Sequence, residues 1–559
     1  MTLRYSAAEN QATTDSNFMS FTAPGREQNF VLKHIADIGE LASHDRFAGA
    51  SEDMVEAIVE GIGQFAAGEF APLNRIGDTE GALSALILET CGAANYAFTL
   101  CPMLSFGAIE ALHVHGTEEQ KAQYLPNLIS GAWTGTMNLT EPQAGSDVGA
   151  LRSTAEPITE GEHAGKYRIK GQKIFITFGE HDLTDNIIHL VLARTPDAPE
   201  GTRGISLFIV PKYHLDADGK SGVPNDVTCV SIEHKIGIHA SPTCVMAYGE
   251  QDNCIGEMIG GEYGGMKAMF TMMNNARINV GSQGVQIAER ATQQASQFAL
   301  DRIQSARAGS GNKAPVAIIE HPDVRRLLLR SKALTQAARA LLYYATSSVD
   351  RATLGIEGAK SRAEILTPLI KGYGTDIGNE VASLGVQVHG GMGFIEETGA
   401  GQHFRDARIA PIYEGTNGIQ AADLVGRKLG LDGGEAMATL ISEIRSEAEN
   451  DESLLALADT CEHIRQWMAS SDASIDDRLA GSYAFMTMLA TATCGMLMKK
   501  QHRIASAELA GGDDMFLRAK LVTTRYYLDH IVPEALGLKA AAMGGADILY
   551  SLSSAELAG

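Results

Sequence analysis

Aromatic side chains make up only 6% of this sequence, and just two of them are tryptophan. Cysteine is scarcer still. The seven cysteines, at 91, 101, 229, 244, 254, 461 and 494, are odd in number and contain no C-x-x-C pair. That spacing excludes a disulfide framework and points to a reducing, cytoplasmic compartment. Basic charge is also short. Lysine and arginine total 45 against 68 acidic residues, a net charge of -23. Nucleic acid and anionic membranes are therefore excluded as general partners, although a local basic cluster could still hold a phosphate. No apolar run reaches the roughly 18 residues needed to span a bilayer. The N-terminus lacks a signal sequence, and Glu9 and Asp15 oppose a transit peptide. His113, His115, His163, His181, His189 and His321 form no recognisable ligand set, so no metal is expected. There is no G-x-S-x-G elbow, repeat period or low-complexity tract.

What is present is ordinary globular material. The 559 residues, 45% of them hydrophobic, suffice for roughly three or four domains. Residues 1–27 read as an extended arm. Apolar positions then recur at helical spacing over 29–41, 55–65, 82–112 and 118–128, so residues 28–132 are expected to be helical. Thr117 followed by Gln120 comes close to a capping box. From Trp133 the texture changes to short runs at 134–140, 167–177, 187–194, 204–210, 227–233 and 244–249. Their β-branched and alternating residues read as strands, with 167–177 as two runs joined at Gly171, and residues 133–255 as a β domain. The helical period returns over 266–298, 324–348 and 362–384. With the helix after Glu414 these suggest a four-helix bundle over 256–430. Further helices at 435–450, 454–470, 480–510 and 514–536 make residues 431–559 an additional module. The fold class is α+β.

Four stretches could carry chemistry. Ile409 to Gln420 sets one carboxylate, Glu414, in a turn with Pro411, Gly415 and Gly418, just before a helix. Taken alone it reads as well as a helix N-cap. Met137 to Asp147 runs from a strand into a turn whose backbone N–H groups and Thr140 and Ser146 hydroxyls could grip a polar cofactor, or form an ordinary Asx/ST turn. Phe175, Ile176 and Thr177 place an aromatic ring and a hydroxyl at a strand end, suited to a planar heterocycle or to a plain buried strand. Gln387 to Phe394 carries Gly390, Gly391 and Gly393, which permit close backbone approach. It follows no strand, so it is not a dinucleotide fingerprint. Arg277 and Arg302, on one long helix, could pair with anionic ligands or lie solvated. Met266, Met269, Met272 and Met273 form a soft stripe suited to core or to an acyl cavity.

Taken together and in this order, these stretches resemble the acyl-CoA dehydrogenase family. The matching segments are Thr-Glu-Pro-x-Ala-Gly-Ser-Asp at 140–147, Gly-x-Lys-x-x-Ile-Thr at 171–177, the Gln387–Phe394 loop and Tyr-Glu-Gly-Thr at 413–416. The match covers roughly residues 28–430. The arm and the module after 430 look like a longer bacterial branch that includes 3-methylthiopropanoyl-CoA dehydrogenases. The resemblance implies an N-terminal helical domain, a middle β-barrel and a C-terminal bundle. It also implies an FAD cofactor, an acyl-CoA substrate, an electron-transfer flavoprotein as acceptor, and a homodimer or homotetramer. Glu414 becomes the base that removes the α-proton while the β-hydride passes to flavin N5, and Ala276 stands where some relatives place their base. Met137, Leu139, Thr140, Gly145, Ser146, Phe175, Ile176 and Thr177 would line the flavin, with Ser146 also near the pantetheine arm. Arg302, Gln304, Gln387, Gly390 and Gly391 would meet FAD from a neighbouring subunit. Thr416, Asn417 and Gly418 would close over the adenosine part, and Arg277 and Gly415 would meet substrate. The family carries a Gly-Trp pair and a Gly-Gly…Pro loop where this chain passes from Asn74–Gly81 almost directly into Leu83–Thr90. Some tens of residues are absent there. A medium- or long-chain acyl-CoA dehydrogenase, an acyl-CoA oxidase, and a non-catalytic flavin or acyl-CoA binder are the alternatives.

Overall fold

The structure, a computed structural model, describes residues 22–68, 81–216 and 218–559. Most of the expected arm, and the shortened stretch before Gly81, lie outside the described residues. Among the described residues six α-helices come first: α1 (Gly25–His34), α2 (Ile38–Ala42), α3 (Glu52–Gly68), α4 (Gly81–Ala94), α5 (Tyr96–His115) and α6 (Glu118–Ser130). Two runs expected as single helices are each broken in two. Asp37 adopts a left-handed conformation and separates α1 from α2, and the Asn95 side chain caps α5 by accepting from Phe98 N–H. Thr117 and Gln120 form the complete reciprocal capping box of α6. By length and composition α5 could cross a bilayer, contrary to expectation, yet most of its apolar window is buried inside the protein. It is a core helix packed against strand β1 and the long helix α7 described below.

The β domain contains β1 (Trp133–Asn138), β2 (Thr154–Pro157), β3 (Tyr167–Thr177), β4 (Asn186–Ala193), β5 (Ser206–Pro211), β6 (Tyr213–Leu215), β7 (Ser221–Pro224), β8 (Val227–Ile232), β9 (Thr243–Tyr248) and β10 (Ile255–Ile259). Its main sheet runs β1-β4-β5-β10-β3-β9-β8, with β2 alongside β3; β1 and β4 are parallel and the other pairs antiparallel. Hydrogen bonds from Ile174 N–H to the Thr140 carbonyl and from Thr136 Oγ1 to the Thr177 carbonyl curl the β1 end back onto β3. β1, β4 and β5 are buried along their whole length, so both of their faces are covered. β3 is one strand rather than two. Gly171 lies inside it because any Cβ there would collide with Ser153.

The bundle follows: α7 (Gly265–Asp301), α8 (Pro322–Thr353), α9 (Ala359–Leu369), α10 (Thr375–His389), α11 (Ala400–Ala407) and α12 (Asn417–Asp423). Residues 370–374 join α9 to α10 as a π-turn, so one expected helix is two helices around a bulge. Met269 is buried toward the β domain, whereas the Met272 and Met273 side chains lie outside the described residues. The last module comprises α13 (Glu435–Glu447), α14 (Glu452–Ala469), α15 (Ile475–Leu509), α16 (Met515–Tyr526), α17 (Val532–Leu536), α18 (Lys539–Met543) and α19 (Ser554–Ala558). It shares a single hydrophobic core with the bundle and with α1 to α4, through residues such as Leu341, Leu366, Leu424, Leu457 and Leu489. A second core joins α5 and α7 to β1, β4 and β5.

Candidate active site

Glu414 sits in the turn ahead of α12 with φ 54°, a left-handed conformation that costs a non-glycine residue of order 1 kcal/mol or more. Gly415 follows at φ 86°, and the Thr416 hydroxyl caps α12 by accepting from Ile419 N–H at 3.2 Å. The N-cap is therefore Thr416, which leaves the Glu414 carboxylate without that duty. Burial raises its pKa, opposed by the charges of Arg277 and Lys371. Arg277 is buried on α7, beside Gly415, and its Nε has no hydrogen-bond partner. Gln420 donates to the Gly415 carbonyl at 3.3 Å, and its own Oε1 is likewise buried without a partner. One orphaned donor and one orphaned acceptor thus flank the turn, the condition expected where a polar ligand completes the bonding. Arg277 also borders a cavity of about 410 Å³ that reaches Lys360, Arg427 and Lys428.

Tyr413, next to the carboxylate, donates to Gln283 Oε1 on α7, and Tyr96 on α5 donates to the same oxygen at 3.2 Å. The turn is thereby tied to both helices. Ahead of it, Asp406 accepts from the Ile238 N–H at 2.5 Å and docks the β domain against the segment leading to Glu414. Met137, Leu139 and Phe178 of the β domain share one hydrophobic cluster with Ala276, Ala407 and Ile409 of the bundle. The sequence segments expected at the flavin and the glutamate turn therefore face a common seam.

On the β side a bulged strand end presents an exposed ring. β3 carries a bulge between Lys173 and Ile176, and within it Phe175 takes φ 60° and is 60% exposed. A bulge that turns a large ring outward in a strained conformation is how a strand end aims a side chain at a ligand. Ile176 points the other way, into the barrel core, so only its backbone can reach the seam. Met137 is buried too, while Gly145 and Ser146 are exposed on the loop after β1. That loop is held from behind. Lys173 Nζ donates to Glu141 Oε1 at 2.8 Å and to the Leu139 carbonyl at 3.1 Å. Glu141 also accepts from the Ser153 hydroxyl and N–H and from Arg152 N–H. Burial opposes ionisation of Glu141, but Lys173 and these donors hold it down to about 2. Sequence reasoning quoted Glu141 and Lys173 without assigning them a task. The signal was there, a lysine on the inward side of an alternating strand.

Asn417 does not face the seam. Its side chain is buried against residues 371–376, bonded to Lys371 Nζ (3.0 Å), the Gly372 carbonyl (3.0 Å) and Asp376 (2.9 Å). Gly418 is exposed. Arg302 and Gln304 are exposed and bonded to each other at 3.1 Å at the far end of α7. Gln387, Gly390 and Gly391 lie at the same end of the bundle, where Phe298 of α7 meets His389 of α10. At 1.5 Å per residue this end is about 37 Å along α7 from Arg277. The described chain therefore gathers its expected site residues into two separate groups.

Fold and seam together define an acyl-CoA dehydrogenase, an FAD-dependent oxidoreductase, and the chain belongs to that family. Profiles of the family's N-terminal domain match residues 76–132, its middle domain 136–249, its C-terminal domain 263–429, and an acetyl-CoA dehydrogenase C-terminal-like domain 436–553. Among individual relatives, a 3-methylmercaptopropionyl-CoA dehydrogenase of Ruegeria pomeroyi is 43% identical, over 92% of this chain and 97% of its own length. That alignment spans 575 positions, so the relative carries tens of residues with no counterpart here. A butyryl-CoA dehydrogenase of Syntrophomonas wolfei is 39% identical over 81% of this chain and 78% of its own. Among solved structures, Caenorhabditis elegans ACDH-11 in complex with C11-CoA superposes with a TM-score of 0.71 at 18% identity, covering 99% of this chain and 100% of that one. A Bacillus anthracis acyl-CoA dehydrogenase complexed with FAD gives 0.68 at 21% identity, covering 96% and 90%.

Proposed function

We propose that the chain dehydrogenates the α,β bond of 3-methylthiopropanoyl-CoA, with Glu414 as the base that takes the α-proton. The observation that carries this reading is a half-buried carboxylate held off its helix cap, with a raised pKa, under the charges of Arg277 and Lys371. A carboxylate of raised pKa is the stronger base, and an α-proton beside a thioester becomes acidic once the carbonyl is polarised. The Glu414 backbone N–H is suited to that polarising role, and the unpartnered Arg277 Nε lies beside the same turn. FAD, when bound, supplies the acceptor for the β-hydride. Phe175, Thr177, Leu139, Thr140, Gly145 and Ser146 would hold its ring system, Ser146 also facing the substrate arm, with Gly415 and Gly418 letting the backbone approach closely. Arg302, Gln304, Gln387, Gly390 and Gly391 are too far along the bundle to meet the same flavin and would reach that of a second subunit. Exposed Phe394, Met392, Ile395 and Ile303 at this end favour a homodimer or homotetramer. Electrons leave to an electron-transfer flavoprotein. A cytoplasmic setting fits the seven free thiols.

The methylthio substrate rests on the 43% identical relative, and the butyryl-CoA dehydrogenases favour a short straight-chain acyl-CoA as the second reading. An anaerobic visible spectrum, taken before and after adding 3-methylthiopropanoyl-CoA, butyryl-CoA or octanoyl-CoA, separates them. The expected result is bleaching of the flavin band, fastest with the methylthio substrate and lost in Glu414→Gln. Bound flavin that no acyl-CoA bleaches would instead identify a non-catalytic binder. Rapid reoxidation of the bleached protein by oxygen would mark an oxidase.

A further inference from the structure

The C-terminal module reaches the Glu414 turn through a chain of polar side chains. Tyr483 on α15 donates to Asp376 Oδ2 at 2.7 Å, and Asp376 Oδ1 accepts from Asn417 Nδ2 at 2.9 Å. Asn417 Oδ1 in turn accepts from Lys371 Nζ at 3.0 Å. Lys371 is completely buried, within the π-turn between α9 and α10, and its charge acts on Glu414. Within the π-turn the Gly372 carbonyl accepts from Asn417 Nδ2 and from Thr375 Oγ1, both at 3.0 Å, while the Lys371 carbonyl accepts from Thr375 Oγ1 at 2.7 Å.

We propose that Tyr483, Asp376 and Asn417 are positioning residues that fix the Lys371 ammonium beside Glu414, so that the C-terminal module takes part in setting the base for proton abstraction. This inference rests on the proposed role of Glu414. A buried ammonium needs both hydrogen-bond acceptors and a nearby negative charge to stay charged. Asn417 supplies the acceptor, and Asp376 and Glu414 supply the charge. Burial pushes Lys371 down to about 8, and the two carboxylates raise it against that burial and against the like charge of Arg277. Asp376 is itself raised by burial and brought back by Tyr483, Asn417, Lys371 and Arg408. The remaining charges packed here, Asp423 and Arg427, act on Arg277.

The sign follows from these couplings. Removing the Tyr483 hydroxyl favours protonated Asp376, which weakens the support for charged Lys371. A neutral Lys371 no longer lowers the pKa of Glu414, which then rises. A hydrogen-bonded clip with no electrostatic role would lower stability and leave the titration of the base unmoved.

The test uses the flavin-loaded full chain with Tyr483→Phe, Asp376→Asn and Glu414→Gln. Two quantities are measured across pH: the rate of anaerobic flavin reduction by the best acyl-CoA, and the proton uptake on binding the enoyl-CoA product, read by calorimetry in buffers of different ionisation enthalpy. The acid limb is expected to move to higher pH by about one unit in Asp376→Asn and by about half a unit in Tyr483→Phe, in both readouts. Lys371→Arg, which keeps the charge, is expected to retain the parent limb. Profiles of Tyr483→Phe and Asp376→Asn that superimpose on the parent's, with Glu414→Gln inactive, overturn the positioning role alone. Flavin reduction that survives in Glu414→Gln overturns the reading of the base, and this inference falls with it. Should Asp376→Asn not fold, Tyr483→Phe, at the exposed rim, decides the matter by the same criterion.

Discussion

Lys173 and Lys371 are both buried lysines whose charge bears on a glutamate, and the two places are built in opposite ways. In the β domain, Lys173 and Glu141 touch at 2.8 Å, and both carboxylate oxygens collect further donors from Ser153 and Arg152. In the bundle, Lys371 points its bond at Asn417, and Glu414 feels the lysine only as a charge. The first carboxylate is held down to about 2; the second is raised. A saturated carboxylate is a poor proton acceptor, and a desolvated one is a good one. The difference separates a clamp from a base, although the residue types are the same.

The comparison breaks most sharply at the base itself. Glu414→Gln is expected to slow flavin reduction by about 10²–10⁴-fold while leaving the unfolding midpoint at or above the parent's, because a desolvated acid is removed. Stopped-flow absorbance and thermal unfolding together check both halves. Lys173→Met should do the reverse: stability falls by about 3–5 kcal/mol, since Glu141 is left buried and unpaired, while the folded fraction still reduces flavin. Denaturant titration against turnover per bound flavin reads that contrast. Restoring much of the loss in Lys173→Met/Glu141→Leu would sharpen it.

The pH dependence of stability runs in opposite directions at the two places. Glu141 lies below its ordinary value of 4.5 when folded, so the stability it contributes is full above that pH and is lost as the pH falls toward about 2. Glu414 lies above its ordinary value, so the stability tied to its protonated form is present in acid and is lost as the pH rises through its folded pKa. Unfolding midpoints from pH 3 to 8 should therefore flatten at the acid end in Glu141→Gln and at the higher end in Glu414→Gln. The smallest effect concerns the ring on the bulge. Phe175→Ala is expected to weaken FAD binding by about 1 kcal/mol, roughly fivefold, with little change in the midpoint of the flavin-free protein, measured by fluorescence titration.

Much of this was legible in the sequence where the residue type alone dictates geometry. Glu414 among Pro411, Gly415 and Gly418 announced a turn, and Thr117 with Gln120 announced a helix start. The long period from Met266 to Phe298 announced a helix that the structure runs from Gly265 to Asp301. What stayed hidden depends on contacts across the chain. Asp37, by a left-handed backbone, and Asn95, by capping α5, break helices whose apolar period runs on unbroken, because local backbone and capping choices compete with periodicity. Strands β2, β6, β7 and β10 are too short to show a period. Gly171 looked like a joint between strands, yet it exists to let Ser153 reach Glu141. Asn417 sits in the motif but faces inward, held by Lys371, Gly372 and Asp376, contacts that its place in the sequence does not announce.

The most direct test of Glu414 as the base is exchange of the substrate's α-proton with solvent. Flavin-loaded protein would be incubated anaerobically with 3-methylthiopropanoyl-CoA in D₂O, and deuterium at the α-carbon followed by mass spectrometry. The account predicts incorporation by the parent and by folded Lys173→Met, and none above background in Glu414→Gln. Incorporation at the parent rate in Glu414→Gln would contradict it and move the base elsewhere in the seam.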